Sequence, residues 1–258
     1  MIELHDVGFK WPDGPAVLQG LTLKVDPGEK LVLLGANGCG KSTLLKLLNG
    51  LLLATSGEYR YRGDEVSKPL LRTPQWSSMF RREMVLLFQH PEAMLFNPTV
   101  ADEIGYGPRQ LGLSDSDERI VEWAEILDLQ SLLEKPPYTL SGGEKQKVAL
   151  AALLALDPQC LLLDEPMANL DPRSSGWLVD YLLTTEATVI ITTHNLSMAT
   201  ELGERCLILD EQGSLCFDGP VKQALADMAL LQSANLVHRH RHRHGQVTHS
   251  HPHIHDWE

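Results

Sequence analysis

The chain has 258 residues, an apolar share of 43 % and a formal net charge of −12. That composition supports a substantial core in one large domain, with room for a subdomain and a tail. The acidic balance argues against nucleic acid as the main partner, because phosphate-backbone binding needs a basic face. No run approaches the ~18 uninterrupted apolar residues of a membrane span. The start, Met1-Ile2-Glu3-Leu4-His5-Asp6, lacks the basic-then-apolar pattern of a signal peptide. The four cysteines (39, 160, 206 and 216) form no C-x-x-C pair, so reduced thiols in a cytoplasmic setting are expected.

In chain order, Val7 to Gly14 reads as an aromatic strand ending in a turn. Leu18 to Val25 alternates with the period of a half-buried strand. Trp11 is either a π-surface for a base or a hydrophobic anchor of its strand. The turn Pro27-Gly28-Glu29 leads into an apolar strand, Leu31 to Leu34. Next comes Gly35-Ala36-Asn37-Gly38-Cys39-Gly40-Lys41-Ser42-Thr43, and then a helical run from Leu44. G-x-x-x-x-G-K-S between a strand and a helix is a phosphate-binding loop. Its glycines let backbone N–H groups wrap negative oxygens, and the helix N-terminus adds partial positive charge. Lys41 can reach the β- and γ-phosphates, Ser42 can ligate Mg²⁺, and Thr43 can hydrogen-bond the α-phosphate.

Glu58 to Gly63 predicts another strand and turn. Residues 68–82 hold two prolines and little periodicity, which predicts a connecting loop with at most a helical turn. Met84 to Phe88 predicts a central strand, with Gln89 at its carboxyl end, where an amide can reach Mg²⁺ or water or simply satisfy a loop. Asn97-Pro98-Thr99 looks like a helix start, and 116–130 carries an amphipathic face of Ile120, Trp123, Ala124 and Leu127. Residues 91–157 contain no convincing strand and read as a helical insertion.

That insertion ends in Leu140-Ser141-Gly142-Gly143-Glu144-Lys145-Gln146, with Ser141 as helix N-cap. A second anion-binding helix start is most useful if it serves another subunit's nucleotide. Cys160-Leu161-Leu162-Leu163-Asp164-Glu165-Pro166 is a buried strand ending in two acids. Asp164 can hold Mg²⁺ through water, and Glu165 can act as general base if a partner or a raised pKa supports it. Asp171 before Pro172 suits a helix cap. The strand Thr188 to Thr193 ends at His194, placed to meet the γ-phosphate and Glu165. Leu207 to Gly219 predicts a closing hairpin.

With these motifs in place, residues 2–225 resemble ATP-binding-cassette ATPases. GANGCGKST, LSGGEKQ, LLLDEP, NLD and TTH occur in that family's order. The resemblance implies an α/β fold: a P-loop, RecA-like core with an antiparallel β subdomain and an inserted helical subdomain. The divisions would be 1–90 and 158–230 for the core, 91–157 for the helical part and 231–258 for a flexible His-rich tail. It further implies a head-to-tail homodimer burying two MgATP. In that scheme Trp11 stacks on adenine, and Gly35 to Thr43 with Asp164 hold MgATP. Gln89 senses it, and Ser141, Gly142 and Gly143 contact the partner's nucleotide. Glu165 and His194 are catalytic, and Asp171 communicates across the dimer. The segment Phe88 to Val100, with Gly105 to Pro108 and Leu111 to Leu113, is similar to the ATPases of energy-coupling-factor importers. Those sit on the cytoplasmic membrane face with a transmembrane coupling protein and a substrate-capturing membrane protein.

Eight of eleven histidines lie in the tail, at His238, His240, His242, His244, His249, His251, His253 and His255. Imidazole suits Ni²⁺ and Co²⁺, and the resemblance extends to the cobalt/nickel branch of those importers. A vitamin importer and a non-transport cassette are the rival readings. The second would need a coiled-coil insertion or a second cassette. A nickel metallochaperone GTPase would need an N-K-x-D guanine reader, which is absent.

Overall fold

The computed structural model describes the backbone of residues 1–244 and 247–254, with side chains through Val237. The tail histidines from His238 to His255 therefore lie outside the described side chains, as does the flexible-tail expectation attached to them.

Strands β1 (Ile2–Lys10) and β2 (Ala16–Val25) form a long antiparallel pair. Strand β3 (Lys30–Gly35) runs into the glycine loop and helix α1 (Lys41–Leu48). After β4 (Ser56–Tyr61) and β5 (Asp64–Glu65), the chain makes two helices, α2 (Lys68–Leu71) and α3 (Pro74–Glu83). The loop expected over 68–82 is thus wrong. Pro69 and Pro74 stand in the first turns of these helices, where a missing N–H costs nothing and φ is already helical. Phe80 supplies the core anchor, stacked on Trp76 at 4.7 Å.

Strand β6 (Met84–Leu87) precedes a run of helices, α4 (Val100–Gln110), α5 (Ser116–Ile126) and α6 (Gly142–Leu154). Then come β7 (Cys160–Asp164), α7 (Pro172–Thr184), β8 (Thr188–Thr192) and α8 (Leu196–Leu202). The hairpin β9 (Arg205–Leu209) and β10 (Leu215–Pro220) follows, then α9 (Val221–Ala226) and α10 (Met228–Ser233). Strands β11 (Val237–His244) and β12 (Val247–Ile254) pair antiparallel in the tail.

One sheet is antiparallel in the order β2-β1-β4-β5; the other runs β10-β9-β3-β8-β7-β6, parallel except for β10. The α/β class with an antiparallel second sheet is therefore as expected. Strand β6 is a correction: it is an edge strand, not a central one. Its four residues are nonetheless buried, packed against α3 on one side and α6 on the other. An apolar run reports burial on both faces, which a covered edge shares with a centre.

Both faces of the parallel sheet carry a core. Along β3, Val32 and Leu34 join the cluster under the helices, while Leu31 and Leu33 join the cluster shared with β1, β2, β4 and α1. Strands β6, β7 and β8 alternate in the same way. This two-sided burial holds the carboxyl ends of β3, β6, β7 and β8 in one row, where open α/β sheets bind ligands.

Candidate functional site

The glycine loop turns tightly at the end of β3. Gly40 caps α1 at φ 108, and a Cβ there would stand 2.8 Å from Leu18 Cδ2 and 3.0 Å from the Val17 carbonyl. Only glycine fits that backbone. Lys41 is buried, and its Nζ donates to the carbonyls of Gly35 and Ala36 at 2.7 and 3.0 Å. Its charge is thereby held inside the loop, over the space where phosphate oxygens would sit. Cys39 is buried behind the loop, and that burial pushes its thiol up.

The neighbouring strand ends supply the acids. Asp164 closes β7 and stands in register with Thr192 of β8. Thr192 Oγ1 donates to Asp164 Oδ1 at 2.8 Å and accepts from the Glu165 N–H at 2.9 Å. One buried hydroxyl thus orients both acids, and nothing in the residue pattern singled it out from the β-branched strand around it. Glu165 sits at φ 52, a region non-glycine residues avoid. The turn lifts its carboxylate out of line with Asp164 and brings Oε1 against His194 Nε2. The partner that Glu165 needed is therefore His194.

Two adjoining cavities collect these groups. The larger, about 880 Å³, is walled by Gly35, Ala36, Asn37, Gly38, Gln89, Glu165 and His194, among others. The smaller, about 170 Å³, is lined by Gly40, Lys41, Ser42, Thr43 and Asp164, with Gln89, Glu165 and His194 shared. Asn235 and Leu236, from beyond α10, also wall the larger cavity. They carry no motif and were legible only in three dimensions.

Trp11, Ser141, Gly142, Gly143 and Asp171 line neither cavity. Trp11 is half exposed and packs edge-on to Phe9 at 5.0 Å. Ser141 caps α6 in a full capping box: Glu144 N–H donates to Ser141 Oγ at 3.3 Å, and Ser141 N–H to Glu144 Oε2 at 2.7 Å. The S-x-x-E spacing could have revealed this box. The glycine start of α6 lies against the segment after Glu165. A Cβ on Gly143 would stand 2.8 Å from the Asn169 carbonyl, and Gln146 Nε2 donates to the Pro166 carbonyl at 2.8 Å. Asp171 caps α7 through Ser174 and lies 3.5 Å from Lys147. The Ser174 hydrogen bonds hold its carboxyl down at about 2.

A strand, a glycine loop and a helix, with paired acids ending the strand one removed in the same sheet, define a P-loop nucleotide hydrolase. The ABC transporter family profile matches residues 18–168. The chain therefore belongs to the ABC transporter ATP-binding family: it is an ATP hydrolase that drives transport. It is 39 % identical to a putative ABC transporter ATP-binding protein of Methanosarcina acetivorans, over 92 % of this chain and 89 % of that protein. It is 36 % identical to the energy-coupling factor transporter ATP-binding protein EcfA of Methanothermobacter thermautotrophicus, over 92 % and 76 %. Among solved structures, cbiO1 of Clostridium perfringens, part of the ABC transporter complex cbiONQ, superposes with TM-score 0.73 at 26 % identity, covering 91 % and 94 %. The ATP-binding cassette MJ0796, a dimer bound to ADP and Pi, matches in fold with TM-score 0.76.

Proposed function

We propose that this chain is the motor of an energy-coupling-factor importer whose cargo is Ni²⁺ or Co²⁺. It works as a head-to-tail dimer on the cytoplasmic face of the membrane. The observation carrying the dimer reading is the split placement of the motifs. Glu165, His194, Gln89 and the glycine loop share one cavity, while Ser141, Gly142 and Gly143 start a helix outside it. A helix N-terminus with free donors has a use at a second copy's nucleotide.

In this reading the core comprises 1–90 and 158–230, the helical part 91–157 and the tail 231–258. Gly35 to Thr43 cradle the phosphates, and Lys41 exchanges its loop carbonyls for phosphate oxygens. Ser42, Asp164 and Gln89 offer oxygen donors, the set a hard cation such as Mg²⁺ takes, and would hold it there. When bound, Mg²⁺ offsets charge on the phosphate chain. Glu165 accepts a proton from the attacking water, and His194 fixes the carboxylate that does so. Trp11 stacks on adenine, and Asp171 relays closure to the partner. The membrane partners dock near 89–100, where Phe96 is 67 % exposed beside Tyr106. No described helix is long and apolar enough to cross a membrane. The histidine tail supports the choice of a metal as cargo.

Glu165→Gln should bind ATP with turnover lowered ~10²–10⁴-fold, as for loss of a general base. Light scattering with MgATP should then show a dimer. A monomer with bound nucleotide would overturn the motor reading. Metal retained on the complex purified with its membrane subunits identifies the cargo.

A further inference from the structure

We propose that Gln146 is a positioning residue for hydrolysis: from α6 it holds the turn Glu165–Ala168 and so aims the Glu165 carboxylate. The inference rests on the reading of Glu165 as the group that takes a proton from the attacking water.

Glu165 stands in a conformation that its local sequence opposes. Its φ of 52 is one that residues with a Cβ rarely adopt, and the following Pro166 restricts it further. Such a backbone persists only where surrounding bonds enforce it. Three bonds do so. The Glu165 N–H donates to Thr192 Oγ1 at 2.9 Å. The Ala168 N–H donates to the Glu165 carbonyl at 3.2 Å and closes the turn. Gln146 Nε2 donates to the Pro166 carbonyl at 2.8 Å. The first bond comes from the sheet, the second from the turn itself and the third from α6.

Gln146 is 1 % exposed, and its amide is only half used. With Nε2 turned to a carbonyl, Oε1 is buried with no partner among the described residues. An unpaired buried amide oxygen costs stability. Leu or Met would fill much the same space without that cost, so filling space does not account for an amide here. What the amide supplies, and an apolar side chain cannot, is the N–H on Pro166.

Two more contacts keep α6 against the same segment. A Cβ on Gly143 would stand 2.8 Å from the Asn169 carbonyl, so the helix approaches closely. Lys147 Nζ lies 3.5 Å from Asp171 Oδ2. Gly143, Gln146 and Lys147 are three and four residues apart, hence on one face of the helix. The Glu165 carboxylate thus takes its place partly from where α6 sits, and a shift of α6 reaches it through one side chain.

The test compares Gln146→Met, Glu165→Gln and the double variant in the full-length chain. For each, kcat with MgATP is measured beside melting temperature and affinity for a fluorescent ATP analogue. Gln146→Met keeps the volume and removes the donor. It should lower kcat ~10-fold or more, as for a misplaced catalytic group, with nucleotide affinity unchanged. Because Gln146 acts through Glu165, the double variant should turn over no more slowly than Glu165→Gln. Gln146→Glu restores a donor only while the new carboxyl is protonated, a state that burial favours. Its kcat, taken as a ratio to wild type at each pH, should rise as pH falls, and the same ratio for Gln146→Met should stay flat. Wild-type kcat in Gln146→Met would overturn the proposal. So would losses that multiply in the double variant. If Gln146→Met does not fold, Gln146→Glu decides alone, and a flat pH ratio there overturns the positioning role. Normal turnover in Glu165→Gln would sink the reading of Glu165 and this proposal with it. Slow turnover in Glu165→Gln beside normal turnover in Gln146→Met would sink the proposal alone.

Discussion

Thr192 shows how much of the site depends on one hydroxyl. It is fully buried and bonded to both acids, so replacing it with the near-isosteric Val leaves the Glu165 N–H and Asp164 Oδ1 without their partner. Thr192→Val should cost about 1–3 kcal/mol, the usual range for a buried polar group left unpaired, measured by urea unfolding. It should lower kcat more than it raises KM, because Glu165 loses its orientation while the phosphate loop is untouched. Asp171 is a second residue-scale case. Its pKa is held at about 2 by Ser174, below the ordinary carboxylate value of 3.8. A depressed folded-state pKa adds stability above the unfolded value and loses it as pH falls through the folded one. The melting temperature of wild type should therefore exceed that of Asp171→Asn most above pH ~4, with the gap closing toward pH 2. A constant gap over that range would remove Asp171 from the pH dependence.

Among the elements, α6 links sequence signal and geometry most directly. Its N-terminus carries the capping box, and its first turn is tied to the segment after Glu165 through Gln146. Ser141→Ala should cost ~1 kcal/mol of stability, the typical value for a lost N-cap. In the dimer reading it should also lower ATPase activity by weakening contact with the partner's nucleotide. Stability lost with activity intact would leave Ser141 as a cap only. Helices α2 and α3 teach the opposite lesson. Two prolines looked like breakers, yet each opens a helix, and the core position of Phe80 decides that the helix continues.

Across the molecule, the chain end is part of the core rather than an appendage up to Val237. Leu231, Ala234 and Val237 are all buried. A chain ended at Val237 should keep the wild-type melting temperature. One ended at Asp227 should melt markedly lower, since removing a buried Leu side chain alone costs ~2–5 kcal/mol. Equal melting temperatures would contradict the packing of α10. The same burial that anchors α10 brings Asn235 and Leu236 to the catalytic cavity, so stability and site are coupled there.

Local pattern was enough for what depends on local chemistry. The glycine loop, the paired acids, the helix caps at Ser141 and Asp171, and the buried strands each follow from residue types at fixed spacing, because backbone geometry ties that spacing to a shape. What spacing cannot carry is which distant residues meet. The edge position of β6, the hydroxyl of Thr192 between two acids, and the arrival of Asn235 at the cavity all arise from strand order and two-sided core packing. These are long-range pairings, and only the folded chain brings them together.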